Sequence, residues 1–210
     1  MNIFSPEGLT LLIQTFGYFG LFAIIFAESG LFLGFFLPGD SLIFTAGVLA
    51  SQGYLNIWIL IGVLLIAAVL GDNFGYAFGK KVGPKIFKKE DSLLFNRENL
   101  TRANAFYQKH GPKALILARF MPVVRTFTPI LAGVGIMNYR KFFTYNLIGG
   151  VIWTIALPLL GYFLGQTIPN IDKYLLPIIL LIILTSFLPS LFHLIRSGEY
   201  KKIITWLFKK

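Results

Sequence analysis

The sequence predicts an all-α polytopic membrane protein. It is an inverted repeat of a re-entrant helical hairpin plus a transmembrane helix, about four full spans and two opposed hairpins in all. Three observations predict this. First, 56% of the 210 residues are hydrophobic and 13% are charged, against roughly 45–50% apolar and about 25% charged in an average soluble domain. One core of this size cannot bury the surplus, which must face lipid. Second, residues 8–27, 41–71, 142–171 and 174–195 carry no formal charge, and a hydrocarbon layer is crossed by about 20 such residues. Third, short motifs recur between the halves. Phe36-Leu37-Pro38 is echoed by Phe120-Met121-Pro122, and Ala46-Gly47-Val48 by Ala132-Gly133-Val134. Gly75-Tyr76 with Gly79 returns as Gly161-Tyr162 with Gly165. The last two pairs share an offset of 86 residues.

The elements follow in order. Residues 9–27 form a first span, retained because no basic segment precedes it and no small-residue cleavage site follows. Residues 29–50 form a re-entrant hairpin shaped by Pro38 and Gly39, and 57–79 a second span. Residues 80–113 are a basic cytoplasmic loop, with nine basic side chains against three acids. Residues 114–137 form the second re-entrant hairpin. Pro122 and Pro129 interrupt its helix, and arms of about ten residues at 1.5 Å each reach only the midplane. Spans at 142–165 and 174–195 complete the membrane part, and 196–210 is a basic amphipathic tail suited to the membrane surface.

Charge placement orients these elements. The net charge of +10 resides in the 80–113 loop and in the tail. Short basic segments beside spans stay on the cytoplasmic side. If 114–137 crossed the membrane, the tail would fall outside. If it dips in and returns, every basic cluster lies inside, the N- and C-termini are cytoplasmic, and the two hairpins enter from opposite faces. Anionic inner-leaflet lipids are the expected partners of these clusters, and no nucleic acid is expected. A homo-oligomer is compatible with the sequence. Broken helices at matching places of two inverted halves mark a substrate site at their interface.

Glu28, Asp40, Arg119 and Arg125 lie in otherwise apolar segments, each at roughly 2.5–3.5 kcal/mol when placed at the centre of a lone helix. They must pair or line a wet cavity. Meeting hairpins would set Asp40 near Arg125. This arrangement is either a structural ion pair or a polar site for an anionic headgroup. In the second case Arg119 and Arg125 bind phosphate, because the planar fork donates two parallel hydrogen bonds and stays protonated. Glu28 and Asp40 then carry the coupling proton. Asp72, which sits where small residues permit close helix packing, and Thr126 beside Arg125 support these groups.

Other chemistries lack their residues. The chain has no Cys and two His, His110 and His193, far apart, so no metal site and no cofactor is expected. Gly39-Asp40-Ser41-Leu42 spells the tetrapeptide of a serine esterase family, but neither His follows an Asp by three positions, and enzymatic activity is not expected. No phosphate-cradling glycine loop ending in Lys-Ser/Thr occurs, so energy would come from a gradient.

Glu28 with Phe36-Leu37-Pro38-Gly39-Asp40-Ser41, Gly71-Asp72 with Gly75-Tyr76 and Gly79, and Arg119-Phe120 through Arg125-Thr126, Pro129 and Ala132-Gly133 together resemble the DedA family, also called the SNARE-associated or VTT domain family. The resemblance covers roughly residues 10–195. It implies a multi-pass protein of the bacterial plasma (inner) membrane with opposed re-entrant hairpins. It further implies a proton-coupled flippase that recycles polyprenyl (undecaprenyl) phosphate for the cell envelope. The family's acidic and arginine pairs fall on Glu28, Asp40, Arg119 and Arg125. Two alternatives stay open: a proton-coupled transporter of small ions or solutes, and a non-transporting membrane-homeostasis protein.

Overall fold

A computed structural model describes residues 6–31, 39–86, 113–182 and 184–185. Pro38, the loop beyond residue 86, the end of the 174–195 span and the 196–210 tail lie outside the described residues. Among the described residues every regular element is helical. Among these residues, two helices are long and apolar enough to cross a membrane.

Helix α1 (Pro6–Gly30) contains the 9–27 stretch but is broken at Gly17, where φ is 53°. That region is open to glycine without steric cost, and nothing lies near where a Cβ would stand. The dihedral alone therefore demands glycine there. Helix α2 (Gly39–Ser51) has 13 residues, of which all but its second and last are buried. At about 1.5 Å per residue it reaches roughly 20 Å, short of a ~30 Å layer. An apolar helix wrapped by protein on all sides sits inside the fold.

Helix α3 (Ile57–Ile86) is capped by Asn56, whose Oδ1 accepts from the amides of Trp58 at 2.9 Å and Ile59 at 3.2 Å. It runs past residue 79 and carries Lys80 and Lys81 on its last turns. Helix α4 (Ala114–Ala118) is a short piece. Met121 is extended, as a residue before proline must be, and Pro122 opens α5 (Pro122–Leu131). Pro129 sits inside α5 and cannot donate to the carbonyl of Arg125. The chain then widens into a π-turn at Ala132–Ile136. Helix α6 (Tyr139–Thr167) starts at Asn138, whose side chain accepts the Arg140 amide at 2.9 Å. A 3-10 turn at Ile171–Tyr174 and a helical segment over 175–182 follow.

Close glycine contacts hold the central helices together. A Cβ on Gly47 of α2 would collide with the Pro158 carbonyl of α6, and one on Gly161 with the Phe44 carbonyl. In the other pair, Gly133 of the π-turn abuts the Tyr76 carbonyl of α3, and Gly79 abuts the Ile130 carbonyl. These contacts match one for one. Phe44 and Gly47 map onto Ile130 and Gly133 at an offset of 86, while Tyr76 and Gly79 map onto Pro158 and Gly161 at 82. The contacts thus relate Gly79 to Gly161, one helical turn from the sequence match of Gly75 with Gly161 at 86. Glycines spaced by four on both helices let a sequence match slip a turn without leaving the packed face. Large apolar side chains, among them Trp58, Ile66, Phe74, Leu160 and Phe163, cover the outside of α3 and α6, as a lipid-facing surface requires.

Candidate functional site

Five helices bring seven polar and aromatic side chains into two adjoining groups. In the first, Arg125 of α5 reaches both acids of the N-terminal half. Its Nη1 donates to Asp40 Oδ1 at 2.7 Å and its Nη2 pairs with Glu28 Oε1. Exposure of the Arg125 and Glu28 side chains is 9% and 3%. Trp153 of α6 closes the group. Its Nε1 donates to the same Asp40 oxygen at 3.0 Å, and its ring lies 4.9 Å from the Arg125 guanidinium carbon, within cation–π range. Gly39 leaves room for the Glu28 carboxyl group, which a Cβ at this position would displace from Arg125.

The second group surrounds Arg119, in the break between α4 and α5. Its Nη2 pairs with Asp72 Oδ2 of α3 and donates to Asn146 Oδ1 of α6 at 2.5 Å. Gly149 and Gly150 give the arginine its bed. A Cβ on Gly149 would stand 3.0 Å from Arg119 Cδ. A small cavity with room for about one water molecule joins the groups, lined by Asp72, Arg119, Arg125, Thr128 and Asn146 with Phe142 as an apolar wall. Among the described residues, three buried polar atoms have no hydrogen-bond partner: Glu28 Oε2, Ser41 Oγ and Asn146 Nδ2. Among the described residues, no group of three or more His, Cys, Asp or Glu is placed to hold a metal ion.

The structure therefore sets Asp40 beside Arg125, and Glu28 with them. Arg119, for which the sequence named no partner, pairs with Asp72 and not with Glu28 or Asp40. Asp72 faces the α4–α5 break from the middle of α3, so its short side chain meets Arg119 directly. Thr126 is buried next to Arg125, and Pro122 and Pro129 shape α5. Sequence reasoning missed Asn146 and Trp153. Their signal was a lone amide, and an indole away from either end, in the uncharged 142–171 stretch.

A family model described as the VTT domain matches residues 37–163. The chain is 46% identical to Protein DedA of Escherichia coli K12 over 178 residues, covering 84% of this chain and 81% of that one. It is 45% identical over 168 residues to an uncharacterised membrane protein of Mycobacterium leprae, covering 80% and 75%. Inner membrane protein YqjA of Escherichia coli K12 is 37% identical over 174 residues, covering 79% of each. No solved structure matches the chain. With a domain match over more than half its length and relatives this similar across most of it, the chain belongs to the DedA family of VTT-domain membrane proteins.

Proposed function

We propose that this membrane protein is a proton-coupled flippase that carries polyprenyl phosphate, undecaprenyl phosphate by the family resemblance, across the bacterial plasma membrane without covalent chemistry. The observation that carries this reading is a pair of buried guanidiniums lining one cavity, each already occupied by carboxyl groups. A phosphate entering there competes with those carboxyls for the same donors. The cavity is too small for a phosphate while the ion pairs stand, so at least one must open. Three carboxyls, Glu28, Asp40 and Asp72, face two arginines. Charge balances when one carboxyl carries a proton, and a dianionic headgroup asks for further protons. Uptake of protons by Glu28 or Asp40 as the headgroup takes Arg125 couples the two movements.

The crossed glycine contacts support an inverted repeat. The α2 segment packs on α6, and its counterpart around Gly133 packs on α3, with the same residue-to-residue matching. In this reading residues 29–50 and 114–137 are opposed re-entrant hairpins, both termini are cytoplasmic, and the basic loop and tail rest on anionic inner-leaflet lipid. Reconstitution into liposomes with labelled polyprenyl phosphate tests the function. The label should change leaflet, faster under a pH gradient. Movement of a soluble anion instead of the lipid would favour a small-solute carrier, and movement of neither would leave a non-transporting protein.

A further inference from the structure

Asn146 places an unclaimed hydrogen-bond donor at the cavity shared by the two arginines. Its residue exposure is 4%, and its Oδ1 accepts from Arg119. A guanidinium has no acceptor atom, so the Asn146 atom facing it must be the oxygen. The orientation of the amide is thereby fixed, and Nδ2 points away from Arg119 with no hydrogen-bond partner. An unmet buried donor is costly, and the cavity that Asn146 lines has room for about one water molecule to meet it until a headgroup oxygen takes that place. Holding Arg119 uses only the Oδ1 of this amide and leaves its Nδ2 unassigned. The three carboxyls near the cavity are acceptors when ionised and repel a phosphate oxygen. Of the neutral donors that line the cavity, the Thr128 hydroxyl already gives its hydrogen to the Val124 carbonyl at 2.7 Å, and Asn146 Nδ2 is uncommitted.

We propose that Asn146 is a headgroup ligand, giving its Nδ2 hydrogens to an oxygen of a phosphate monoester held between Arg119 and Arg125. This rests on the headgroup reading of the arginines above. A neutral donor adds contact without adding charge, so it strengthens binding while leaving proton-driven release intact.

The test uses the full chain purified in detergent and titrated calorimetrically with farnesyl phosphate, with farnesol as the uncharged control. Asn146→Ala removes the donor, and Asn146→Asp keeps the oxygen that faces Arg119 but replaces the donor by an acceptor. Both should bind farnesyl phosphate roughly tenfold or more weakly, as expected for loss of one hydrogen bond to a charged group, with farnesol binding unchanged. Binding by Asn146→Asp at the wild-type level would show that the residue only holds Arg119, and would overturn the inference. So would Asn146→Ala binding within twofold of wild type. Should Asn146→Asp fail to accumulate, the wild-type chain labelled with 15N-asparagine decides. The side-chain amide signal missing from Asn146→Ala should shift with farnesyl phosphate and not with farnesol, and a signal that stays put overturns the inference. A wild-type chain that prefers farnesyl phosphate no more than farnesol would overturn the headgroup reading itself, and this inference with it.

Discussion

Arg125 is held by two carboxyls, so neutralising them singly and then together should give effects that do not add. In Glu28→Gln the Asp40 bond to Nη1 remains, and an amide oxygen stands where Glu28 Oε1 stood. A hydrogen bond to a charged partner contributes about 1.5–3 kcal/mol and a neutral one about 0.5–1.5 kcal/mol. Each single exchange, Glu28→Gln or Asp40→Asn, should therefore cost about 1–1.5 kcal/mol. Removing both charges strands a guanidinium whose side chain is only 9% exposed. Breaking a buried pair costs about 3–5 kcal/mol, a large part of the 5–15 kcal/mol that holds a typical protein folded. The double variant should exceed the sum of the singles by about 1–2 kcal/mol, a coupling that a double-mutant cycle resolves. Thermal unfolding of the purified variants in one detergent, with membrane accumulation alongside, measures it. In liposomes both single variants should stay folded, and at least one should lose its response to a pH gradient. A double variant no less stable than the sum of the singles would refute the shared counter-charge, and a normal gradient response in both singles would refute the coupling role.

Three further outcomes follow from the same geometry. Arg119→Lys and Arg125→Lys should accumulate normally yet each lower transport at least tenfold, because an ammonium cannot serve two partners in the planar geometry recorded here; full activity in both would point to a general positive field. Trp153→Phe keeps the ring on Arg125 and loses the bond to Asp40, whereas Trp153→Leu loses both, so headgroup binding should fall in that order, by roughly three- to tenfold at each step; equal binding in both would remove the indole from the site. A cysteine at Asn138 should resist an impermeant external thiol reagent while one at Asn170 reacts, and labelling at Asn138 would mean that 114–137 crosses the membrane.

The class of the protein was legible because lipid contact leaves a compositional mark that no local detail can hide, and α3 and α6 lie where long uncharged runs put them. The charged centre was legible for a related reason: Glu28, Asp40, Arg119 and Arg125 are expensive where they stand. Their pairing was less so. Which acid meets Arg119 depends on how α3 approaches the α4–α5 break, and nothing local to Asp72 encodes that approach. Gly17 is one of several glycines in apolar helices, and its neighbours give no sign of a positive φ. Asn146 and Trp153 carry no formal charge, so a search for costly charges passes over them.

The glycine contacts also govern the order in which the protein can be assembled. Phe44 and Gly47 find their partners on α6, which leaves the ribosome only after α3, α4 and α5 have been made. Until then the backbone at Phe44 and Gly47 lacks its α6 partners. The N-terminal half lacks these contacts until the C-terminal half has been made. A lesion at Gly161 would therefore first be felt during biogenesis, as an orphaned α2 presented to the membrane's quality control, before any question of transport arose.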